Sequence, residues 1–285
     1  MKIIATSDVH QMISKWKDLV KVCKKEKPDV VAIAGDNFPK DTYITGQMSF
    51  MPHLVKYANI IKEEGTEIVI ILGNDDNQNL IPLMEQEHNN GLWHYIPEKV
   101  ANIKGYEFVA MPWVPDYPFG YKYWCRGESR NNYRIDPQQF TDPVLINTDN
   151  KFEIIKDYKA YIRSKKTIQQ SLEETAKLVK DIGKSIWLIH CPPSGMDLDI
   201  CSHGARVGSY EVLKFIQEQQ PLLTIHGHIH ESPQYNNYKW CYQEGNTLCV
   251  QGGQLGFDLH YATIEIDNGK IIKKGHSIYH DYLNE

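Results

Sequence analysis

The sequence predicts an α/β protein in which polar residues collect at the ends of β-strands. Three observations predict this fold. Apolar, strand-like runs at 2–6, 30–34 and 67–72 are each followed by a stretch with helical periodicity. Each run ends in polar residues, which places a site at one edge of a mostly parallel sheet. From residue 247 onward, apolar and polar residues alternate as they do in antiparallel strands.

Three helices are expected to follow the first three strands. Ser14 is the expected cap of the first helix, because its hydroxyl can accept a backbone N–H at the helix start. The second strand is apolar throughout, as in a strand that is buried on both faces. The helices are expected at about 14–26, 46–64 and 80–88.

The segment from about 114 to 184 is expected to be an insertion within a single domain that spans residues 1–285. Its first part is rich in Pro, Tyr and Trp without a sustained period, and helices are predicted at about 152–164 and 167–182. Long irregular segments in compact domains tend to be functional, and the aromatic residues argue against disorder. Two interpretations stay open: a packed lid over the site, or a cover for a sheet edge.

The last third supplies two more strand ends and a hairpin. A strand at 185–189 ends at His190, and the prolines that follow cannot extend it. Ser209 is expected to cap a helix that reaches about residue 220, before a strand at 221–225. Antiparallel strands are expected at 247–250, 259–266 and 270–278, with a hairpin turn at 267–270.

Composition is that of an ordinary globular protein with no general affinity for polyanions. The hydrophobic fraction is 41%, the charged fraction is 24% and the net charge is -5, so a nucleic acid partner is not expected. The chain starts with a strand and has no apolar run of transmembrane length, so we expect a cytoplasmic protein without a membrane partner. The six cysteines are expected to be thiols. The oligomeric state stays open.

Five strand ends carry residues that bind divalent metal ions. Aspartate, asparagine and histidine offer carboxylate, amide and imidazole ligands. Gly227, between His226 and His228, lets the backbone approach whatever these rings hold. One such motif is a weak signal, but five in order are specific. The five are Asp8-Val9-His10, Gly35-Asp36, Gly73-Asn74, His190 and Gly227-His228-Ile229-His230.

With these motifs in this order, the chain resembles the calcineurin-like metallophosphoesterase superfamily over its whole length except the insertion. The resemblance implies a sandwich of two β-sheets flanked by helices, with a dinuclear metal site at the strand ends. Asp36 would bridge the two ions. The implied ligands are Asp8, His10, Asp36 and His230 for one ion, and Asp36, Asn74, His190 and His228 for the other.

The resemblance also implies a hydrolase. Ligands without thiolates suit two divalent transition-metal ions, Mn, Fe, Zn or Ni. The implied reaction is hydrolysis of a small phosphodiester or activated phosphoester, by in-line attack of a hydroxide that bridges the ions. Two alternatives stay open. One is a non-catalytic scaffold for protein partners, as a retromer subunit of this fold is, and the other is a nuclease, against which the lack of a basic stripe argues.

The chain departs from the superfamily pattern at two places. Asp75 stands where the superfamily has a histidine that assists the leaving group, and a carboxylate beside two cations should stay ionised and unable to donate a proton. Asp76 matches an Asp/Glu position, where we expect it to orient the ligands. The usual Gly-Asp-x-x-Asp pattern lacks its last carboxylate unless Asp41 replaces it.

Four residues are therefore candidates for catalytic roles besides metal binding. His203 is a candidate replacement for the missing acid. Arg206, with the helix start near Ser209, is a candidate for binding phosphate oxygens, and the alternative for both is a plain surface loop. His226 is a weaker candidate for contact with substrate. The four predicted catalytic residues are Asp75, Asp76, His203 and Arg206.

Overall fold

The computed structural model describes residues 1–10, 12–40 and 44–279. Two large mixed sheets pack face to face, and helices cover their outer faces. The strands are β1 (Lys2–Thr6), β2 (Val30–Ala34), β3 (Glu67–Ile71), β4 (Val100–Ile103), β5 (Tyr106–Met111), β6 (Val144–Ile146), β7 (Phe152–Ile154), β8 (Ile186–Ile189), β9 (Leu223–His226), β10 (Cys241–Glu244), β11 (Thr247–Gln251), β12 (Ala262–Asp267) and β13 (Lys270–His276). The α-helices are α1 (Ile13–Glu26), α2 (Ile44–Glu63), α3 (Ile81–Asn89), α4 (Tyr158–Ser164), α5 (Ile168–Ala176), α6 (Tyr210–Gln219) and α7 (Ser232–Tyr235).

The first sheet has the strand order β13-β12-β1-β2-β3. Its strands β1, β2 and β3 are parallel, and β12 and β13 form the predicted antiparallel hairpin. The second sheet has the order β10-β11-β9-β8-β5-β4. Two mixed sheets flanked by helices are the architecture that the superfamily resemblance implies, and the expectation of one mostly parallel sheet is replaced by it.

The strand assignments near the C-terminus needed one correction. The strand expected at 247–250 to be antiparallel is β11, which pairs in parallel with β9 and antiparallel with β10. Strands β4 and β10 were not predicted. Both lie at an edge of the second sheet and are partly exposed, so neither carries a continuous apolar run.

The apolar run of β2 is explained by burial on both faces. Val30, Ala32 and Ala34 pack against the second sheet, whereas Val31 and Ile33 pack toward the helices. Alternate side chains of a strand point to opposite faces, so a strand between two apolar layers needs apolar residues at every position. This packing fixes where β2 ends, and therefore where Asp36 lies.

Two of the predicted helix starts needed correction. Ser209 caps α6 as predicted, because its Oγ accepts the backbone N–H of Val212 at 3.1 Å. Ser14 does not cap α1, which begins at Ile13. The helix expected at 152–164 begins only at Tyr158, because the preceding residues pair as the β6–β7 hairpin.

The chain between β5 and β8 divides into two parts. Its second part contains α5, whose Ile168 and Leu172 pack with Trp187 of β8 in the core outside the second sheet. Its first part contains the aromatic residues and the β6–β7 hairpin. The α5 part therefore covers a sheet face, and only the first part reaches the metal-binding residues described below.

Among the described residues, no helix combines the length and the apolar composition that crossing a membrane requires.

Candidate metal centre

The seven predicted ligands meet where strand ends of the two sheets face each other. Backbone bonds join the loops that carry them: Asp8 N–H donates to Gly35 O at 2.9 Å, and Gly227 N–H donates to His190 O at 2.9 Å. The second bond links two strands of the second sheet beyond their ends. The loops are therefore held together by backbone hydrogen bonds as well as by any bound metal ion.

Asp8, His10, Asp36 and His230 each offer a ligand atom, and these atoms all lie within 4.8 Å of one another. His230 Nε2 is 3.4 Å from Asp8 Oδ1 and 3.4 Å from His10 Nε2. His10 Nδ1 lies 3.1 Å from the carbonyl oxygen of Phe38, which leaves Nε2 facing the cluster. These are the four residues predicted for the first ion.

The residues predicted for the second ion converge on Asn74 Oδ1. This oxygen is 2.9 Å from His190 Nε2 and 2.5 Å from His228 Nδ1. His190 Nε2 is also 3.5 Å from Asp36 Oδ2, while its Nδ1 lies 2.6 Å from Ala34 O. Asp36 is thus next to both groups of ligands, which is the position that a bridging carboxylate needs.

The site fits two divalent transition-metal ions. Asp8 Oδ2 and Asp36 Oδ2 are buried and have no hydrogen-bond partner among the described residues. Burying an unsatisfied carboxylate oxygen is unfavourable, so these atoms call for a cation. Oxygen and imidazole nitrogen donors without sulfur match Mn, Fe, Zn or Ni better than soft metals.

Electrostatics prepare most of the ligands in the form that binds metal. Burial lowers the pKa of His10 to about 4 and that of His228 to about 3, so both imidazoles are neutral. Burial opposes ionisation of Asp8, but the neighbouring His230 and His190 rings together outweigh it and lower the pKa of Asp8 to about 2. Burial also disfavours the charged form of His190, but Asp36 raises its pKa to about 9. Of the three histidines His10, His190 and His228, only His190 must lose a proton to bind metal.

Four of the seven ligands have left-handed backbone. The φ angles of Asp8, His10, Asp36 and His228 are 53°, 49°, 54° and 72°. Residues other than glycine rarely adopt this region, and each instance costs about 1–3 kcal/mol. The backbone is therefore strained where it aims these side chains at the centre.

Gly227 makes the close backbone approach that was expected between the two histidines. A Cβ atom at this position would lie 2.8 Å from Asp8 Oδ2. Any side chain there would displace a predicted metal ligand. The glycine between His226 and His228 is thus explained by the lack of room for a side chain, as well as by the need to direct the His228 ring at the site.

Asp76 connects two of the ligand loops. Its carboxylate accepts backbone N–H groups from Asn37 and Phe38 at 3.0 Å and from Gly73 at 2.9 Å. It is fully buried and lies behind Asp36 and Asn74. This placement fits the orienting role expected from its position in the motif.

Asp75 lies at the rim of the centre, paired with a residue that the sequence did not indicate. Lys40 Nζ is 3.5 Å from Asp75 Oδ2 and 3.4 Å from the His230 ring nitrogens. Burial, with a further contribution from Asp36, raises the pKa of Asp75 to about 6, so it is largely ionised at neutral pH. A lone lysine after the Gly-Asp motif carries no motif signal. Asp41, the suggested replacement carboxylate, lies outside the described residues.

The predicted phosphate contacts of the 202–209 loop are taken by carboxylates of the chain itself. Arg206 pairs with Asp197 at 2.5 Å and more loosely with Asp199 at 3.5 Å. The start of α6 receives Glu128, whose carboxylate accepts from Ser209 Oγ at 2.6 Å and from Tyr210 N–H at 3.0 Å.

The other two histidine candidates differ in burial. His203 is exposed on the same loop, which is tied to the His230 loop because Ser202 N–H donates to Glu231 at 3.1 Å. His226 is buried, and its ring lies 2.9 Å from Ile189 O and 2.8 Å from Thr224 Oγ1. Because both ring nitrogens of His226 have partners within the protein, we assign His226 a structural role.

The sequence profile of the calcineurin-like phosphoesterase family (Metallophos) matches residues 1–232. The chain belongs to this family. Membership supports metal-dependent hydrolysis of phosphoesters as its general activity. No curated protein sequence matches this phosphoesterase significantly.

Solved structures agree on the fold. TT1561 of Thermus thermophilus is 16% identical, with a TM-score of 0.55 over 96% of this phosphoesterase and 97% of its own chain. A dimetal phosphatase from Danio rerio is 11% identical, with a TM-score of 0.50 over 94% and 93% of the two chains. At these identities the likeness shows the fold alone.

Two residues that sequence reasoning missed complete the centre of this phosphoesterase. Gln254 joins the loops at 7–10 and 226–230, because its Nε2 donates to Ser7 O at 2.9 Å and its backbone N–H donates to His230 O at 2.8 Å. Tyr117, from the aromatic segment, packs with its ring centroid 6.2 Å from that of His228. The glycines around Gln254 and the aromatic composition were the available signals, but neither identifies a partner.

Proposed function

We propose that this phosphoesterase hydrolyses phosphodiesters or activated phosphoesters of small molecules with two divalent transition-metal ions. The observation that carries the proposal is the convergence of seven donor side chains around two buried carboxylate oxygens that accept no hydrogen bond among the described residues. A protein that only binds partners has no need for this set. The metals themselves, when bound, would lower the pKa of a water molecule and neutralise charge on the phosphoryl oxygens.

The chain's own residues hold the reactants in place. Asp8, His10 and His230 are assigned to one ion and Asn74, His190 and His228 to the other, with Asp36 shared. Asp76 orients Asp36 through the backbone of the following residues. The rigid loops keep both groups of ligands at fixed separation, which is the positioning that an in-line displacement requires.

The charge at position 75 supports a preference for diesters. A phosphomonoester carries up to two negative charges near neutral pH, whereas a diester carries one. An ionised Asp75 at the rim therefore repels the monoester more strongly. Because a carboxylate cannot donate a proton, the leaving oxygen would be stabilised by the neighbouring Lys40 ammonium instead.

Residues 1–285 are proposed to act as a single domain whose insertion at about 114–184 forms a lid with its first part, while its α5 part covers a sheet face. Support comes from its first part, where Tyr117 packs on His228 and the Trp124 indole donates to Asp76 O at 2.5 Å. A cytoplasmic location and a small phosphoester as partner belong to the same proposal and rest on the sequence.

The test is hydrolysis by protein loaded in turn with Mn²⁺, Fe²⁺, Zn²⁺ or Ni²⁺. We expect turnover of bis-p-nitrophenyl phosphate with a higher kcat/KM than for p-nitrophenyl phosphate. Asn74→Ala and His190→Ala should lose this activity, whereas Lys21→Ala, an exposed change on α1, should keep it. No turnover with any of the four metals would overturn the proposal in favour of the scaffold, and a marked preference for DNA would favour the nuclease.

A further inference from the structure

Three aromatic rings lead outward from the metal centre. We call Tyr117, Phe119 and Phe140 the aromatic ladder. Tyr117 packs on His228, the Tyr117 and Phe119 ring centroids are 6.1 Å apart, and those of Phe119 and Phe140 are 5.8 Å apart. Tyr117 is 8% exposed, but Phe119 is 60% and Phe140 is 66% exposed. The ladder therefore runs from a half-buried predicted metal ligand to solvent.

The outer rings of the ladder are held in place by the backbone and are exposed to solvent. Phe140 N–H donates to Pro118 O at 2.8 Å, so the two exposed phenylalanines stand on neighbouring stretches of backbone. Tyr117 is fixed below them by a bond from its hydroxyl to Tyr121 O and by the Lys122 ammonium 4.8 Å from its ring centroid. Adjacent exposed apolar groups next to a site, in contrast to scattered ones, indicate binding.

The charges of the same segment indicate what is bound. Residues 114–146 contain four basic residues, and each has a partner within this segment or directly before it. Lys122 pairs with Asp116 at 2.9 Å, Arg126 lies 3.7 Å from the Trp113 ring centroid, Arg130 donates to Tyr133 at 3.1 Å, and Arg134 pairs with Glu128 at 3.1 Å. The segment thus exposes aromatic rings to solvent, whereas each of its basic side chains already contacts another group of the protein. This surface suits an uncharged planar group better than a second phosphate.

We propose that Phe119 and Phe140 stack on a planar aromatic group, in biology a nucleobase, of a phosphoester whose phosphate lies at the metal centre. The inference rests on the proposed function and names its substrate class. Bases stack on aromatic side chains without regard to sequence, because every base has a π face. Because the ladder begins next to His228, a substrate whose base stacks on the ladder can keep its phosphate at the metal centre.

The test compares two phosphates that differ only in the base. Metal-loaded protein is titrated calorimetrically with adenosine 5′-monophosphate and with ribose 5-phosphate. We expect the nucleotide to bind about tenfold more tightly, which is the size of one base–aromatic stack. Phe119→Ala/Phe140→Ala should remove this difference and leave the Kd of ribose 5-phosphate unchanged. Phe152→Ala, a change at another exposed phenylalanine on β7 outside the ladder, should preserve the difference.

A second variant separates stacking from folding. Phe119→Trp keeps a ring and should retain the preference for the nucleotide, whereas Phe119→Leu keeps apolar bulk and should lose it. Equal binding of both phosphates by the parent protein overturns the inference, and so does a loss of affinity for both in the double variant. If neither phosphate binds, the inference fails, and the hydrolysis assay described above shows whether the proposed function fails with it.

Discussion

Lys40 and Asp75 meet at the rim of the metal centre, where the family's usual histidine is replaced by a carboxylate. Their separation of 3.5 Å places one positive charge beside the position that lost its proton donor. A motif comparison alone shows only the loss. The contact is formed by residues 35 positions apart in the sequence, so it depends on how the two loops pack.

Lys40→Ala should lower kcat/KM about 10²-fold for phosphodiesters with strongly basic leaving oxygens, and less for p-nitrophenyl esters. The reason is that a fixed cation helps most when much negative charge develops on the departing oxygen. The measurement is the slope of log kcat/KM against the leaving-group pKa, which should steepen in Lys40→Ala and recover partly in Lys40→Arg. An unchanged slope would show that Lys40 is a surface residue that does not stabilise the leaving oxygen.

Metal uptake should depend on pH through His190. Its pKa, raised to about 9 by Asp36, lies above the ordinary value of 6.5, so the metal-free protein holds this proton at neutral pH. The ion pair stabilises the metal-free fold fully below about pH 6.5, and this contribution is lost as the pH rises through about 9. Because metal binds the neutral imidazole, apparent affinity should rise about tenfold per pH unit between these values.

Competition with a chelator at several pH values would measure this slope, and titrations in buffers of different ionisation enthalpy would count the proton released. His190→Asn removes the titrating group and should flatten the dependence while weakening affinity. A parent protein whose metal affinity does not change between pH 7 and pH 9 would contradict the assignment, because it would show that metal binding releases no proton from His190.

At the scale of elements, Glu128 links the aromatic segment to the start of α6. Its carboxylate is fully buried and accepts from Ser209, Tyr210 and Arg134. Glu128→Ala should lower the free energy of unfolding by about 1–3 kcal/mol, because it removes the carboxylate from the partly buried Arg134 guanidinium and leaves the N–H groups at the start of α6 without this acceptor. Chemical denaturation measures this change in the free energy of unfolding. Glu174→Ala, which breaks an exposed pair with Lys166, is the control and should leave the midpoint unchanged.

The strands that carry ligands could be predicted, whereas the segment between β5 and β8 could not. Strands such as β2 are buried on both faces, so their apolar runs are visible in the sequence. Residues 152–154 have no such signal: all three are exposed in the β6–β7 hairpin, and an extended pair of this kind depends on its partner strand. Glu128 was missed for the same reason, since its partners at the start of α6 are 81 to 83 residues away.

At the scale of the whole molecule, metal should be part of the folded state's stability. We predict two ions per chain by elemental analysis after reconstitution, and one in Asn74→Ala or His10→Ala, which each remove a ligand of a single ion. Asp36→Ala should lose both, because Asp36 lies next to both groups of ligands. At a free metal concentration of 100 times Kd, each ion adds about 2.7 kcal/mol, or roughly 5–10 °C in Tm. A single ion in the parent protein would contradict the assignment.

The left-handed backbone at positions 8, 10, 36 and 228 bears on how this lineage changes over time. Aspartate and histidine stand at four places where glycine or asparagine would fit the chain with less strain, and their proposed role as metal ligands explains why they are there. A descendant that abandoned catalysis would be released from that constraint, and drift would replace these four residues before it disturbed the buried strands. The residue types at these positions therefore record whether a relative of this protein still works as an enzyme.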